Sequence, residues 1–561
     1  MRRSNARVES ESEGSETERI DNEKKKIKKK VKMDNSIKLK FRPNQSLRST
    51  NLFSRNPRQT QTAKSSVFSF VIGTLSLVFV FSCYLYVSLK GPVENRYRIV
   101  IDGGSTGSRI HVFRYVVKDG GPVFDFGGER GLGSMRVSPG LSAFADDPRG
   151  AADSVMEMLE FARGRVPEEK WGETEVRLMA TAGLRMLDLS VQDRILEACR
   201  SVLRTSGFAF RNDWASVISG SDEGVYAWVV ANYALGTLGG DPQETTGIIE
   251  LGGASAQVTF FSSAAIPPEF SQTVKFGNVT YSLYSHSLLE FGQNVAFDLF
   301  RGSKFAKGSN PVYVATESLL DPCSPKGYKH NSMIGNLTPN SFVDMNEQSP
   351  VLLANGNFSE CRSAALTLLQ KGKEDCAYDQ CYIGSTFMPK LEGKFLATEN
   401  FFHTSKFFGL SPRTFLSELE VAGKRFCEDD WSKLKGKYPT YKDEDLHRYC
   451  FSSAYIVAFL HDSLGIAFND KRIRYANQVS DIPLDWALGA FISQIMSELD
   501  VGELYPMKSV LSLDSWTLAL VIFLLIGATY FGSKWRNPSN VKTIYDLEKG
   551  KYIVTRIGRH S

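Results

Sequence analysis

The sequence predicts an α/β protein whose two lobes meet across a cleft, flanked by two membrane-spanning helices. Three observations predict it. Strands and helices alternate from Arg96 onward, one strand–turn–strand segment occurs twice, and two charge-free apolar runs lie outside the alternating region. Such alternation argues for mixed sheets covered by helices. A chain of 561 residues is also long enough for several folding units.

Taken in order, residues 1–66 are polar and basic, and much of the formal net charge of +5 comes from the run Lys24–Arg42 (KKKIKKKVKMDNSIKLKFR). So little apolar surface cannot offset the entropy of ordering, so a disordered cytosolic tail is expected. Attraction to anionic lipid headgroups is the alternative role for its charge. No aromatic residue interrupts Lys24–Lys32, which argues against a nucleic-acid partner. Residues 67–89 (VFSFVIGTLSLVFVFSCYLYVSL) carry no charge and exceed the roughly 20 residues a spanning helix needs. They lie too deep in the chain for a cleavable signal peptide.

A second run at 515–532 is shorter and could alternatively be a buried core helix; Lys534 and Arg536 follow it. Basic flanks stay in the cytosol. Both termini are therefore expected there, with residues 90–510 lumenal or extracellular, in the endomembrane system or at the plasma membrane. Lipid is then a partner through two spans, and 533–561 is a second cytosolic tail.

Of the eight cysteines, Cys83 falls in the first span. Cys376 with Cys381, Cys427 with Cys450, and Cys323 with Cys361 are plausible pairs that leave Cys199 over, although spacing alone does not fix connectivity. No cysteine or histidine spacing supports zinc. Asn278, Asn336 and Asn357 each begin an N-x-S/T triplet, which requires lumenal exposure if glycosylated.

Between the spans, RYRIVIDGG reads as a strand entering a Gly-rich turn and SRIHVFRYVV as a second strand. AADSVMEMLEFARGRV has helical spacing, EVRLMATAG is a strand, EGVYAWVVANYALG a helix, and TTGIIELGGASAQVTFF a strand, turn and strand. The repeat aligns Ile99–Ile110 on Gly247–Val258 without a gap. Each copy has an apolar strand, an acidic residue (Asp102 or Glu250), a turn of small residues and an outgoing strand. Two such hairpins predict two lobes, 96–218 with 477–505 and 219–476.

Small turn residues let backbone N–H groups approach and cradle phosphate oxygens. Gly103, Gly104, Ser105, Thr106, Gly107, Ser108 and Arg109 form one cradle; Gly252, Gly253 and Ala254 form the other. Asp102 and Glu250, beside the turns, suit a calcium or magnesium ion held through water. The chemistry described is a phosphate clamp. Asp222 and Glu223 begin a helix, where capping and the helix dipole account for carboxylates equally well.

The motifs IDGGSTGSR, ATAGLR, ISGSDEGVYAWVVANYALG and LGGASAQ, in this order, closely resemble the apyrases, the nucleoside triphosphate diphosphohydrolases. YSLYSHSLLEFG and DWALGAF extend the resemblance over about residues 95–505. It implies two actin-like (RNase H-like) lobes, nucleoside di- and triphosphate substrates in the cleft, and a calcium or magnesium cofactor. By position it implies Glu223 as catalytic base, Ser255 and Gln257 as residues orienting the attacking water, and Thr181 near the terminal phosphate. Glu250 departs from the aspartate usual in the family, and its extra methylene displaces the carboxylate by roughly 1 Å, enough to cost about 100-fold in rate. A non-catalytic nucleotide-binding protein with the same cleft is the alternative. Trp228 and Trp486 read as packing residues and His111 and His286 as structural or exposed, with Arg448 and Tyr449 as weak base-pocket candidates. Base preference, the choice between tri- and diphosphate, and oligomeric state are not legible.

Overall fold

The computed structural model describes residues 95–118, 121–124, 132–308, 319–330, 352–503, 527, 541–546 and 550–556. The expected tail 1–66, the span 67–89, the span 515–532 apart from Gly527, Asn336, Lys534 and Arg536 lie outside the described residues. Among the described residues, no helix is long and apolar enough to cross a membrane. Within the stretch read as a second tail, Val541–Asp546 and Lys551–Arg556 pair as an antiparallel hairpin.

The first sheet contains β1 (Arg96–Gly103), β2 (Ser108–Lys118), β3 (Gly121–Phe124), β4 (Leu132–Val137), β5 (Glu175–Ala180) and β6 (Ala215–Val217). Its order is β3-β2-β1-β5-β6, with β4 also paired to β2. The chain then forms β7 (Thr246–Leu251), β8 (Ser255–Phe261), β9 (Ser271–Phe276) and β10 (Val279–Leu289). Two short pairs follow, β11 (Leu319–Asp321) with β12 (Leu352–Ala354) and β13 (Cys381–Ile383) with β14 (Thr386–Phe387), and then β15 (Lys394–Glu399) and β16 (Ile473–Tyr475). The second sheet runs β16-β15-β7-β8-β10-β9. In each sheet the repeated hairpin is antiparallel, and a later strand lies parallel to its first strand on the other side. The sequence repeat is thus a repeat of sheet topology.

Among the described residues, the helices that matter for the layers are α1 (Pro148–Arg163), α2 (Ala182–Arg185), α3 (Leu189–Arg204), α4 (Gly220–Leu235), α5 (Gln293–Gly308), α6 (Phe358–Leu369), α7 (Asn400–Phe407), α8 (Leu416–Glu428), α9 (Arg448–Val457) and α10 (Trp486–Glu503). Strand side chains alternate between faces. Ile99 and Ile101 of β1 pack with α1 and α3, whereas Val100 packs with α4 and α10. In β7, Ile249 and Leu251 join the cluster containing α5 to α9, while Ile248 faces α4 and α10. Helices α4 and α10 therefore sit between the sheets. They cross at backbone contact, because a Cβ on Gly489 would stand 1.8 Å from the Tyr226 carbonyl oxygen.

Disulfides Cys323–Cys361 and Cys427–Cys450 tie α6, α8 and α9 to the second lobe, and Cys376–Cys381 closes a short loop. All three plausible pairs are formed, and Cys199 is free and buried. Constraining the unfolded chain in this way stabilises by about 2–4 kcal/mol per bridge.

Candidate active site

The alternation that sorts the cores also aims the acidic residues. Asp102 shares a face with Val100, and Glu250 shares one with Ile248, so both carboxylates emerge on the inner faces of the two sheets. Across the hairpins, Asp102 is registered with Arg109 and Glu250 with Gln257. Between the lobes opens a cleft lined by small, polar and charged residues of both turns.

The two turns meet there. A Cβ on Gly253 would lie 2.8 Å from Thr106 Cγ2 and 2.9 Å from Ser105 Oγ, so only glycine lets the second turn approach the first. The Gly252 N–H closes its turn by donating to the Ser255 carbonyl at 3.0 Å. Asn294 and Val295, at the start of α5, donate to the Gly253 carbonyl at 2.9 and 3.1 Å. Gly104, Ser105, Thr106, Gly107, Arg109, Thr181, Gly252, Gly253 and Ala254 line the cleft, as do Asp102, Glu223, Glu250, Ser255 and Gln257. Gly103 and Ser108, paired across β1 and β2 with Ser108 buried, are not among the lining residues.

Adjacent carboxylates at the start of α4 part company. Ser219 caps the helix by accepting from the Asp222 N–H at 3.0 Å, and its hydroxyl donates to Asp222 Oδ2 at 2.7 Å. Capping thus accounts for Asp222. Glu223, one residue on and so about 100° around the helix, is buried in the cleft with Arg185 Nη2 2.8 Å from its Oε2. The same Arg185 nitrogen lies 3.4 Å from Ser255 Oγ, and its other terminal nitrogen donates to the Ile218 carbonyl at 3.1 Å. Gln257 Nε2 donates to Ser255 Oγ at 2.7 Å and to Ser287 Oγ at 3.2 Å. Burial pushes the Glu223 carboxyl up, and Arg185 opposes that shift. A carboxyl group, a hydroxyl and an amide therefore converge around one guanidinium. This arrangement can orient a water molecule and take its proton.

At the other side of the cleft, Asp102 Oδ1 and Glu250 Oε2 are buried with no hydrogen-bond partner. Burial, then Asp485 and Glu223, raise Asp102 well above the ordinary 3.8; burial, then Glu223 and Glu399, do the same for Glu250 above 4.5. Buried carboxylate oxygens without donors fit a divalent cation held through water. Among the described residues no three acidic, histidine or cysteine side chains come close enough to ligate one directly.

The sequence profile of the GDA1/CD39 (nucleoside phosphatase) family matches residues 88–503. The chain belongs to that family. A relative called probable apyrase 6, from Arabidopsis thaliana, is 54% identical over 93% of this chain and 96% of its own length. Probable apyrase 4 of the same plant is 56% identical over 74% of this chain and 83% of its own length. Ectonucleoside triphosphate diphosphohydrolase 1 of Mus musculus is 28% identical over 72% and 81%. Among solved structures, a nucleoside triphosphate hydrolase from Neospora caninum shares the fold, with a TM-score of 0.54 at 16% identity over 77% of this chain and 97% of the other.

Within this family fold, several cleft residues escaped sequence reasoning. Arg136 lines the cleft and donates to Thr106 Oγ1 at 2.8 Å. Asp485 accepts from Arg109 at 2.9 Å, lies 3.4 Å from His111 Nε2, and takes the Ala487 N–H at 3.0 Å. Arg109 is therefore anchored to α10 as well as facing the cleft. Trp486, expected to be pure packing, lines the cleft because it opens α10 beside Asp485. Trp228 is fully buried against Tyr281. His111 is buried and its basicity is lowered by that burial; His286 packs against Phe270. Tyr449 stacks on Phe407 and Arg448 lies over Phe297, and neither lines the cleft. Glu399 was also missed. Its place shows only in the strand pairing: Glu399 ends β15 beside β7 and precedes α7.

Proposed function

We propose that this chain hydrolyses nucleoside tri- and diphosphates, releasing phosphate by direct attack of water. The observation that carries this reading is the convergence of Glu223, Ser255 and Gln257 through Arg185, beneath two facing phosphate-binding turns. The turn amides, Thr106 and Thr181 bind the terminal phosphate. Ser255 and Gln257 hold a water oxygen in line with the terminal phosphorus, and Glu223 accepts its proton as the new P–O bond forms. The bridging oxygen leaves with the shortened nucleotide. Phosphoryl transfer asks little more of a protein than such positioning and charge neutralisation. Asp102 and Glu250 would hold a divalent cation through water, which when bound supplies neutralisation of phosphate charge. A binding-only role leaves the Glu223 constellation without purpose.

The test is phosphate release from ATP, ADP, GDP and UDP by the purified full chain in detergent, with calcium, with magnesium, and with chelator. Cation-dependent release from tri- and diphosphates is expected. Nucleotide binding with no release above a Glu223→Gln control would leave a nucleotide-binding protein instead.

We also infer that this catalytic region faces the lumen or the outside. Three disulfides support it, since such bonds persist in oxidising compartments, and Asn278 is exposed at the turn between β9 and β10. Treatment with an N-glycosidase is expected to lower the apparent mass of the protein from its native membranes, with a smaller drop in Asn278→Gln. An unchanged mass in both would count against that topology.

A further inference from the structure

Five carboxylates line the cleft: Asp102, Glu223, Glu250, Glu399 and Asp485. Two of them have a guanidinium partner, Glu223 with Arg185 at 2.8 Å and Asp485 with Arg109 at 2.9 Å. Among the described residues, Asp102, Glu250 and Glu399 form no ion pair. Three unpaired carboxylates beside phosphate-binding turns repel a polyphosphate unless positive charge stands between them.

Glu399 stands out by its backbone. It ends β15 and precedes α7 with φ 57° and ψ −120°, a conformation that a residue with a side chain rarely adopts. Holding a non-glycine residue there costs on the order of 1–3 kcal/mol. The surroundings enforce it: the Glu399 N–H donates to Asn477 Oδ1 at 2.8 Å, and Asn400 Nδ2 donates to the Leu251 carbonyl at 2.8 Å. A sharp strand-to-helix turn of this kind thrusts the side chain out beyond the end of the sheet. Glycine would relieve the strain, yet the position carries a carboxylate that reaches the cleft.

Its place in the fold says what it faces. β15 lies parallel to β7 with Glu399 opposite Leu251, one residue beyond Glu250. In the first lobe β5, parallel to β1, ends at Ala180 opposite Gly103, and Thr181 follows as the residue before α2, as Glu399 is the residue before α7. At the residue before the helix, the second lobe carries a carboxylate and the first a hydroxyl. Burial, and then its acidic neighbour Asp485, raise the Glu399 carboxyl, while Arg109 and Arg136 oppose that shift.

We propose that Glu399 is a further cation-holding residue, acting through water with Glu250 to grip the divalent cation from the second lobe, opposite Asp102. The inference rests on the hydrolase reading given above. Glu399 is a positioning residue for the reaction, because it acts on phosphate only through the cation.

The test uses the purified full chain with a non-hydrolysable ATP analogue and measures calcium binding directly by titration calorimetry, beside melting temperature. Glu399→Gln keeps the side chain's size and removes its charge; Glu399→Gly removes both and frees the backbone. Both variants are expected to bind calcium about 10–100-fold more weakly, the usual cost of losing an outer-sphere partner. Glu399→Gly should melt no lower than wild type, since the strain is gone. Calcium binding at wild-type strength in both variants would overturn the role of Glu399 while wild-type phosphate release leaves the hydrolase standing. Loss confined to Glu399→Gly would mean a backbone effect and overturn it too. A wild type that neither binds calcium nor releases phosphate would instead sink the hydrolase reading, and this inference with it.

Discussion

Glu223→Gln is expected to cut phosphate release by about 10²–10⁴-fold, the range associated with loss of a general base. That corresponds to roughly 3–5.5 kcal/mol of transition-state stabilisation. Glutamine keeps the volume and can still accept from Arg185 Nη2, which lies 2.8 Å from the carboxylate in the native protein. It cannot take a proton from water. Because Asp222, and not Glu223, joins Ser219 in capping α4, the helix should start normally and the melting temperature should change little. Nucleotide affinity should persist, since the turns at Gly104–Gly107 and Gly252–Ala254 are untouched. Steady-state kinetics and equilibrium binding of the analogue separate the outcomes. Turnover near wild type would remove Glu223 from the role of base and shift attention to another cleft carboxylate.

Arg185→Met should have the next largest effect, and on two readouts. Arg185 joins Glu223, Ser255 and the Ile218 carbonyl, so its loss frees the base from its place. Misplacement by about 1 Å costs on the order of 100-fold in rate. Leaving a buried carboxylate without its partner also costs about 3–5 kcal/mol of stability. The pH dependence gives the sharper signature. Burial raises the Glu223 carboxyl and Arg185 pulls it back, so the variant's carboxyl rises further. A base must be ionised to act, and its rate falls as pH drops through its pKa. The acid limb of kcat/KM should therefore move to higher pH in Arg185→Met.

Stability follows the same linkage. With the folded carboxyl raised above its unfolded value, the stability held by the protonated form is present below the unfolded pKa. It is lost as pH rises through the folded pKa. The variant's deficit in melting temperature should then be smaller in mild acid than at neutral pH. An acid limb unmoved from wild type would mean that Arg185 does not tune Glu223. Arg185→Lys, which keeps the charge but not the fork, should restore the limb more than the rate.

Much of this protein was legible in its sequence, because the signals were local. A strand, an acidic residue and a turn of small residues lie within a dozen positions, so the two hairpins could be read and aligned, and their register across β1–β2 and β7–β8 follows from that alignment. Period-two patterning placed Asp102 and Glu250 at strand ends, and the motif set named Glu223, Ser255 and Gln257. What the sequence could not determine was anything set by chain segments far apart. Asp485 meets Arg109 across 376 positions, and Arg185 meets Ser255 across 70. Neither spacing leaves a periodic trace. The structure gives the physical reason that Asp222 joins the cap and Glu223 the cleft, since one step along a helix rotates a side chain by about 100°. It also brought Trp486 to the cleft wall and held Glu399 in a backbone conformation that no propensity would give it. That conformation persists because Asn477 and Asn400 bond the turn from neighbouring segments, a constraint that exists only once the second lobe has closed around β15.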